Sequence, residues 1–436
     1  MAAAPNPIVK QARTYEKSMV RFLRDIVAIP SESGQEKKVI DRIRREMKAV
    51  GAFDEIRVDG MGNLIARLGN GPRVIAIDAH VDTVGVGDRS QWKHDPYKGK
   101  VANGIVFGRG AGDQEGAIPA MVYGARIIKD LGLQSDEWTL LLTCTVMEED
   151  CDGLCWQYLV KEEGIRPECV VVTDSTNCRI LRGQRGRMEI GVTVKGKSCH
   201  GSMPHKGDNA IYKVTRIIRE IEKLNPKLRN DPFLGKGTIV VTYVDCKTPS
   251  LNAVPDHAYI HLDRRLTTGD TKASALKEVR DCARRAGVTA KVEVPMYAEK
   301  AYTGLVYETE KYFPTWVMKE TAAPIRAAAA TYKTLFRKKP PIGRWTFSTN
   351  GVSICGMYGI PCVGFGPAPE ETAHTINDQV PIQHLVTSAA FYAAFPNEYC
   401  ASAPAPKRSP KKKSKAAKPR GRKKPSPSLR RFLKEE

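Results

Sequence analysis

The 436-residue chain has no apolar run approaching the ~18 residues that a membrane-spanning helix needs. Its opening stretch, MAAAPNPIVKQARTYEK, also lacks the continuous apolar segment of a secretory signal. Neither a membrane span nor secretion is expected. Close cysteine pairs are scarce too. The eleven cysteines are odd in number and scattered, and only Cys151 and Cys155 stand near one another. That spacing argues against a disulfide framework and a thiolate zinc site, and it predicts reduced, mostly buried thiols in a cytoplasmic protein. Acidic residues are outnumbered, 48 against 69 Lys and Arg, for a net charge of +21. The excess is uneven. Residues 407–436 hold 14 Lys and Arg against Glu435 and Glu436, a net +12, which leaves +9 for residues 1–406.

The basic stretch is interleaved with Pro, Ser, Ala and Gly and has no apolar face before Leu429, so residues 401–436 read as a disordered basic tail. Such a tail attracts nucleic acid or another polyanion in a salt-dependent way, or is simply solvated. Upstream, hydrophobic content of 42% suffices for a core, and the length calls for two domains.

Within residues 1–400, helical and strand periodicities alternate. Met19, Phe22, Leu23, Ile26 and Val27 recur at helical spacing. Ser33 and Glu36 form an S-x-x-E capping pattern ahead of Ile40, Ile43, Met47 and Val50. VIAID, WTLLLTCTV and CVVVT are buried strands of parallel character. Ala117, Met121, Ala125 and Ile128 share one helix face running toward Leu131. From about Arg187 the rhythm becomes strand, helix, two strands, helix, strand, the order of a split β-α-β unit on an antiparallel sheet. The earlier rhythm resumes after about 298. This predicts an α/β domain formed by 1–186 and 298–400, with an inserted α+β lid or dimerisation domain at 187–297.

The polar residues at the strand ends are the informative ones. His80 and Asp82 follow VIAID, Glu148 and Glu149 follow WTLLLTCTV, Asp174 follows CVVVT, Asp113 precedes a helix, and His374 follows IPCVGFGP. Ligands of open α/β sheets gather at the carboxyl ends of strands, so these distant residues are expected to converge. Two imidazoles with several carboxylates make a divalent-metal site with carboxylates to spare for proton transfer. In H-x-D, the carboxylate's expected task is to orient the imidazole. Taken singly, each element is as readily structural as catalytic. The remaining histidines have plainer readings: His94 in a loop near the site mouth, His205 bracing a turn, His257 and His261 alternating on a lid strand, His384 on the surface.

The runs AIDAHVDTV (76–84), GRGAGDQEGA (108–117), MEED (147–150), VTDST (172–176), GKSCHGSMPHKGDNAI (196–211), NAVPDHAYIHLDRR (252–265) and ETAHTIND (371–378) follow in order. In order and spacing this series resembles the co-catalytic zinc amidohydrolases and peptidases (peptidase clan MH). That family includes N-acetylornithine deacetylase, succinyl-diaminopimelate desuccinylase, carboxypeptidase G and aminoacylase. The resemblance covers about 8–396, and RGQRGRMEI with STNGVSICG and GFGP is similar to the YgeY-like hydrolase branch.

The resemblance implies a mixed β-sheet between helices in the catalytic domain and a ferredoxin-like lid through which the chain forms a homodimer. It further implies two divalent metal ions, zinc by preference with cobalt or manganese also suited. His80 and Asp174 would hold one ion, Glu149 and His374 the other, with Asp113 bridging. Asp82 would orient His80, and Glu148 would be the general base. His200 would reach a neighbouring subunit's site and stabilise the oxyanion, while Asn252 and Arg265 would hold substrate, Arg265 by its carboxylate. Strand neighbours point to opposite faces, so Arg264 and Arg265 compete for that role; the family pattern favours Arg265.

Two departures bear on these roles. Glu115 stands where relatives often have Lys, and Asp174 is shared with aminopeptidase and dipeptidase relatives where deacylases often have Glu. The expected activity is metal-dependent cleavage of the amide bond in a small N-acyl amino acid or dipeptide-like substrate. A dipeptidase or aminopeptidase, or a catalytically silent polyanion-binding protein acting through 407–436, are the alternatives.

Overall fold

The computed structural model describes residues 6–402. The basic tail at 407–436 lies outside the described residues. Eight strands form the larger sheet, in the order Glu55–Val58, Leu64–Leu68, Trp138–Thr145, Arg73–His80, Cys169–Val172, Cys362–Gly364, Ile180–Leu181 and Ile342–Gly343. The three central strands Trp138–Thr145, Arg73–His80 and Cys169–Val172 are mutually parallel, and Cys362–Gly364 joins them in parallel. The first two strands are antiparallel, so the sheet is mixed. VIAID, WTLLLTCTV and CVVVT are apolar on both faces because this sheet is covered on both. Their apolar side chains belong to one large hydrophobic cluster with the helices Glu16–Val27, Lys37–Val50, Ala117–Asp130 and Ile382–Ser402.

A second cluster is built from residues 188–292. Its sheet runs Thr238–Lys247, His257–Leu266, Gly186–Lys195 and Ala290–Glu293, antiparallel throughout. The helices Ala210–Leu224 and Lys272–Arg285 supply Val214, Ile217, Ile221, Ala275 and Val279 to the same core. This is the expected ferredoxin-like arrangement. The alternation in HAYIHLDRRL explains which strand face is which: Ala258, Ile260, Leu262 and Arg264 are buried, while the residues between them are half-exposed.

Three expectations are corrected. Ser33 and Glu36 do not cap a helix: Glu36 is the N-cap of Lys37–Val50, with no side-chain capping bond. Instead Ser33 Oγ donates to Asp82 Oδ2 at 2.6 Å, and Glu36 Oε1 accepts from the Met147 amide at 3.1 Å. Both side chains face the strand ends across the chain, where buried groups need partners more than a solvent-side helix start does. His80 is the last residue of its strand and not the first beyond it. His384 is half-buried near the start of the Ile382–Ser402 helix, and burial lowers its pKa. All eleven cysteines are free, and seven are buried. Among the described residues no helix is long and apolar enough to cross a membrane.

Candidate functional site

The strand ends open into a cavity of about 560 Å³ lined by His80, Asp113, Glu148, Glu149, Asp174, His374 and Arg265, among others. The five expected ligands and the expected base therefore share one space. His80 is 1% exposed, and its Nδ1 lies 2.9 Å from the backbone carbonyl of Asp82. Donation from Nδ1–H to that carbonyl leaves Nε2 free to face the cavity. Nε2 lies 3.2 Å from Asp113 Oδ1 and 3.8 Å from Glu148 Oε2.

Asp113 stands between the two imidazoles, because its other oxygen is 3.2 Å from His374 Nε2. Burial opposes its ionisation, but His374 and His80 outweigh that cost and hold the carboxyl well below the usual range. His374 Nε2 also contacts Glu149 Oε2 at 2.8 Å, and these two carboxylates push the imidazole up to about 10. Single donor atoms of His80, Asp113 and Glu149 all lie within 4.8 Å of one another. Asp174, 2% exposed, lines the same wall, one oxygen taken by the Ser175 amide at 2.9 Å. Burial, and then the neighbouring Asp113, raise its pKa well above the carboxylate range.

The turn bearing Glu148 and Glu149 is fixed from below. Asp82 is fully buried, and its two oxygens accept the Glu148 amide at 3.1 Å and the Glu149 amide at 2.9 Å. The part expected of Asp82 differs in detail: its backbone carbonyl makes the hydrogen bond to His80, while its carboxylate stands 3.6 Å from Nδ1 and orders the glutamate turn. Glu148 Oε1 and Glu149 Oε1 are buried without a hydrogen-bond partner. Burial pushes Glu149 up to about 7, with Asp113 adding to the rise. Glu148 rises well above its ordinary value, again by burial first, partly offset by His80.

Asp378 braces the Asp113 loop. Its oxygens accept the amides of Gly110 at 2.8 Å and Gly112 at 2.7 Å, and Arg109 pairs with it at 3.1 Å in a buried ion pair. Glu115 is also buried, and burial with the nearby Asp378 raises its pKa well above the usual range. Asp113 is thus carried on a rigid loop.

Arg265 lines the cavity and is gripped by Asp263 through two bonds of 2.8 and 3.1 Å. Arg264 faces the other way, fully buried and paired with Asp270 and Glu278. His200 and Asn252 do not line the cavity. They sit on exposed, mutually paired loops, where Asn252 accepts the Gly201 amide at 2.7 Å and His200 bonds Ser202 Oγ at 2.7 Å. Asp152, Arg187, Thr346, Glu370 and Glu371 line the cavity without having been singled out in the sequence. Arg187 lies within RGQRGRMEI, so the signal was a second Arg at the start of a strand facing Arg265.

The donor set suits divalent metal ions. Imidazole nitrogens and carboxylate oxygens are the ligands zinc, cobalt and manganese accept, and the unpartnered glutamate oxygens are buried groups that a cation would satisfy. Carboxylates this crowded repel one another unless positive charge lies between them.

The sequence profile of the peptidase dimerisation domain matches residues 182–291. The chain is 51% identical to the uncharacterized protein YgeY of Escherichia coli K12, over 91% of this chain and 98% of that protein. It is 24% identical to succinyl-diaminopimelate desuccinylase of Methylocella silvestris, over 87% of this chain and 97% of the other. Its fold is similar to that of the Bacillus subtilis YXEP protein, described as a dinuclear metal binding peptidase from the M20 family. There the TM-score is 0.66 at 15% identity, covering 89% of this chain and 99% of that one.

Proposed function

From the premise that the chain belongs to the M20 peptidase family, hydrolases that act on amide bonds, we propose that it cleaves a small N-acyl amino acid or dipeptide-like substrate with two divalent metal ions bound. The observation that carries this reading is the meeting of His80, Asp113 and Glu149 donors within 4.8 Å, with the unpartnered Glu148 Oε1 buried in the same cavity wall. His80 and Asp174 would hold one ion, Glu149 and His374 the other, and Asp113 both. Zinc is the proposed metal, with cobalt or manganese able to replace it. Ions held there would supply Lewis acidity toward the scissile carbonyl and the attacking water.

Glu148 takes a proton from the attacking water and delivers it to the leaving nitrogen, a transfer worth ~10²–10⁴ in rate. Burial suits it to the task by making the carboxylate a stronger base. Asp82 keeps Glu148 aimed by holding its backbone, and Arg265 grips the substrate carboxylate with the guanidinium donors that Asp263 leaves free. His200 and Asn252 act from the partner copy of a homodimer. Their exposure outside the cavity supports this, as do Val240, Tyr243 and Val244, exposed on the edge strand Thr238–Lys247. The reduced cysteines suit a cytoplasmic setting.

A panel of N-acetyl amino acids and free-amine dipeptides, assayed with zinc- and cobalt-loaded protein, tests the proposal. Amide cleavage that a chelator abolishes is the expected result. No cleavage of any compound after metal loading contradicts it.

A further inference from the structure

Arg187 and Asp152 form a charged pair in the cavity wall that is incompletely bonded. Asp152 is 6% exposed, and its Oδ2 has no hydrogen-bond partner. The Arg187 Nε and Nη2 groups are buried without a hydrogen bond, and the contact to Asp152 is a loose 3.4 Å. Unfilled donors and an unfilled acceptor, buried side by side, are costly unless something completes them. The Phe313 ring, 4.8 Å beneath the guanidinium, fixes its plane.

The strand register shows why Arg187 differs from Arg265. The two residues are direct cross-strand partners, as are Glu189 and Asp263 two positions along. Like charges directly opposite are unfavourable, so each Arg takes its own carboxylates. Arg265 has Asp263 but also raises the potential at Arg185, which feels Arg344 as well, so that side is cationic. Arg187 has Asp152 at 3.4 Å and Glu189 at 3.9 Å, and Glu189 is itself paired with Lys311. Asp263 acts on Arg187 as well, so the carboxylates around Arg187 at least match the cations. A second carboxylate would meet Asp152 and be repelled, whereas a neutral group offering both an acceptor and a donor completes both partners.

We propose that Arg187 and Asp152 form a specificity subsite for an uncharged amide group of the substrate, additional to the scissile bond, its carbonyl accepting from Arg187 and its N–H donating to Asp152. The proposal rests on the hydrolase reading above and narrows its substrate class to compounds with a second amide.

Near-isosteric substrates test it on either side of the scissile bond. On the amino-acid side these are N-acetylglutamine, N-acetylglutamate and N-acetylnorleucine. On the acyl side they are succinamoyl-, succinyl- and pentanoyl-alanine. With native, metal-loaded protein the amide member of at least one series should exceed both others in kcat/KM by tenfold or more. In Arg187→Met and Asp152→Asn that preference should shrink to within about threefold, with Arg187→Lys intermediate because it keeps the charge and loses the fork. Circular dichroism and metal content identify any variant that has failed to fold. Preference for the carboxylate member, or equal loss for all three members in folded variants, overturns the subsite. If the native protein hydrolyses none of these compounds and nothing in the wider panel of N-acetyl amino acids and free-amine dipeptides, the hydrolase reading fails on its own. Calorimetric binding of the same panel then decides the subsite: an amide preference lost in Arg187→Met supports it, and no preference overturns it.

Discussion

Glu148→Gln separates chemistry from architecture at this site. The Glu148 side chain makes no hydrogen bond: Oε1 has no partner, and Oε2 lies 3.8 Å from His80 Nε2. Its backbone, by contrast, is tied to Asp82 at 3.1 Å, a bond the substitution keeps. The glutamine amide has nearly the same shape, so folding and metal retention should be little changed. What disappears is a group able to accept a proton. Loss of general-base catalysis by ~10²–10⁴ corresponds to about 3–5 kcal/mol of barrier. The comparison is Glu149→Gln, which weakens a 2.8 Å contact to His374 and a member of the proposed ligand cluster. Steady-state kinetics, metal content by mass spectrometry and thermal melting should be measured on both. Glu148→Gln should keep its metal and its Tm within a few degrees while kcat collapses; Glu149→Gln should lose metal. A Glu148→Gln enzyme within threefold of native kcat, or one that sheds metal like Glu149→Gln, refutes the assignment of Glu148 as base.

Arg265→Met removes a charge-assisted contact worth about 1.5–3 kcal/mol, so kcat/KM for carboxylate-bearing substrates should fall roughly 10–100-fold, mainly through KM, with partial recovery in Arg265→Lys. Glu36 is fully buried, and burial followed by Asp82 pushes its carboxyl up to about 7. The unfolded chain releases that proton near pH 4.5, while the folded chain keeps it until about 7, so Glu36 costs stability as pH rises through that window. Glu36→Gln should therefore gain on native protein in denaturant melts between pH 5 and 8, by at most about 2–3 kcal/mol; a gap that is flat or narrows with pH contradicts this. Deleting residues 403–436 should leave hydrolysis unchanged, and chromatography of both forms on immobilised nucleic acid across a salt gradient distinguishes a polyanion-binding tail from a simply solvated one.

The parts of the fold legible in the sequence are those written in short-range patterns. Unbroken apolar runs announced the three central parallel strands, because both faces of that sheet are covered, and alternation announced His257–Leu266. The cluster itself was legible because parallel strands bring their carboxyl ends to one edge, whatever their separation along the chain. Long-range pairing was not legible. Ser33 and Glu36 matched a helix-cap pattern, yet their partners Asp82 and Met147 lie far along the chain. The Arg187–Asp152 pair joins the first strand of the ferredoxin-like sheet to the turn beyond Glu149, and no local spacing encodes that meeting. Arg264 and Arg265 could be told apart only by the family pattern until the Asp270 and Glu278 partners of Arg264 were seen.

In the proposed site, chain segments remote in sequence present one donor set to a pair of cations. Anomalous diffraction from crystals grown with zinc, recorded on both sides of the metal's absorption edge, locates those cations. Two peaks roughly 3.5–4 Å apart are predicted, flanked by His80, Asp174, Glu149 and His374 with Asp113 between them. The absence of any peak in that cavity, or zinc bound only elsewhere on the chain, would contradict the account.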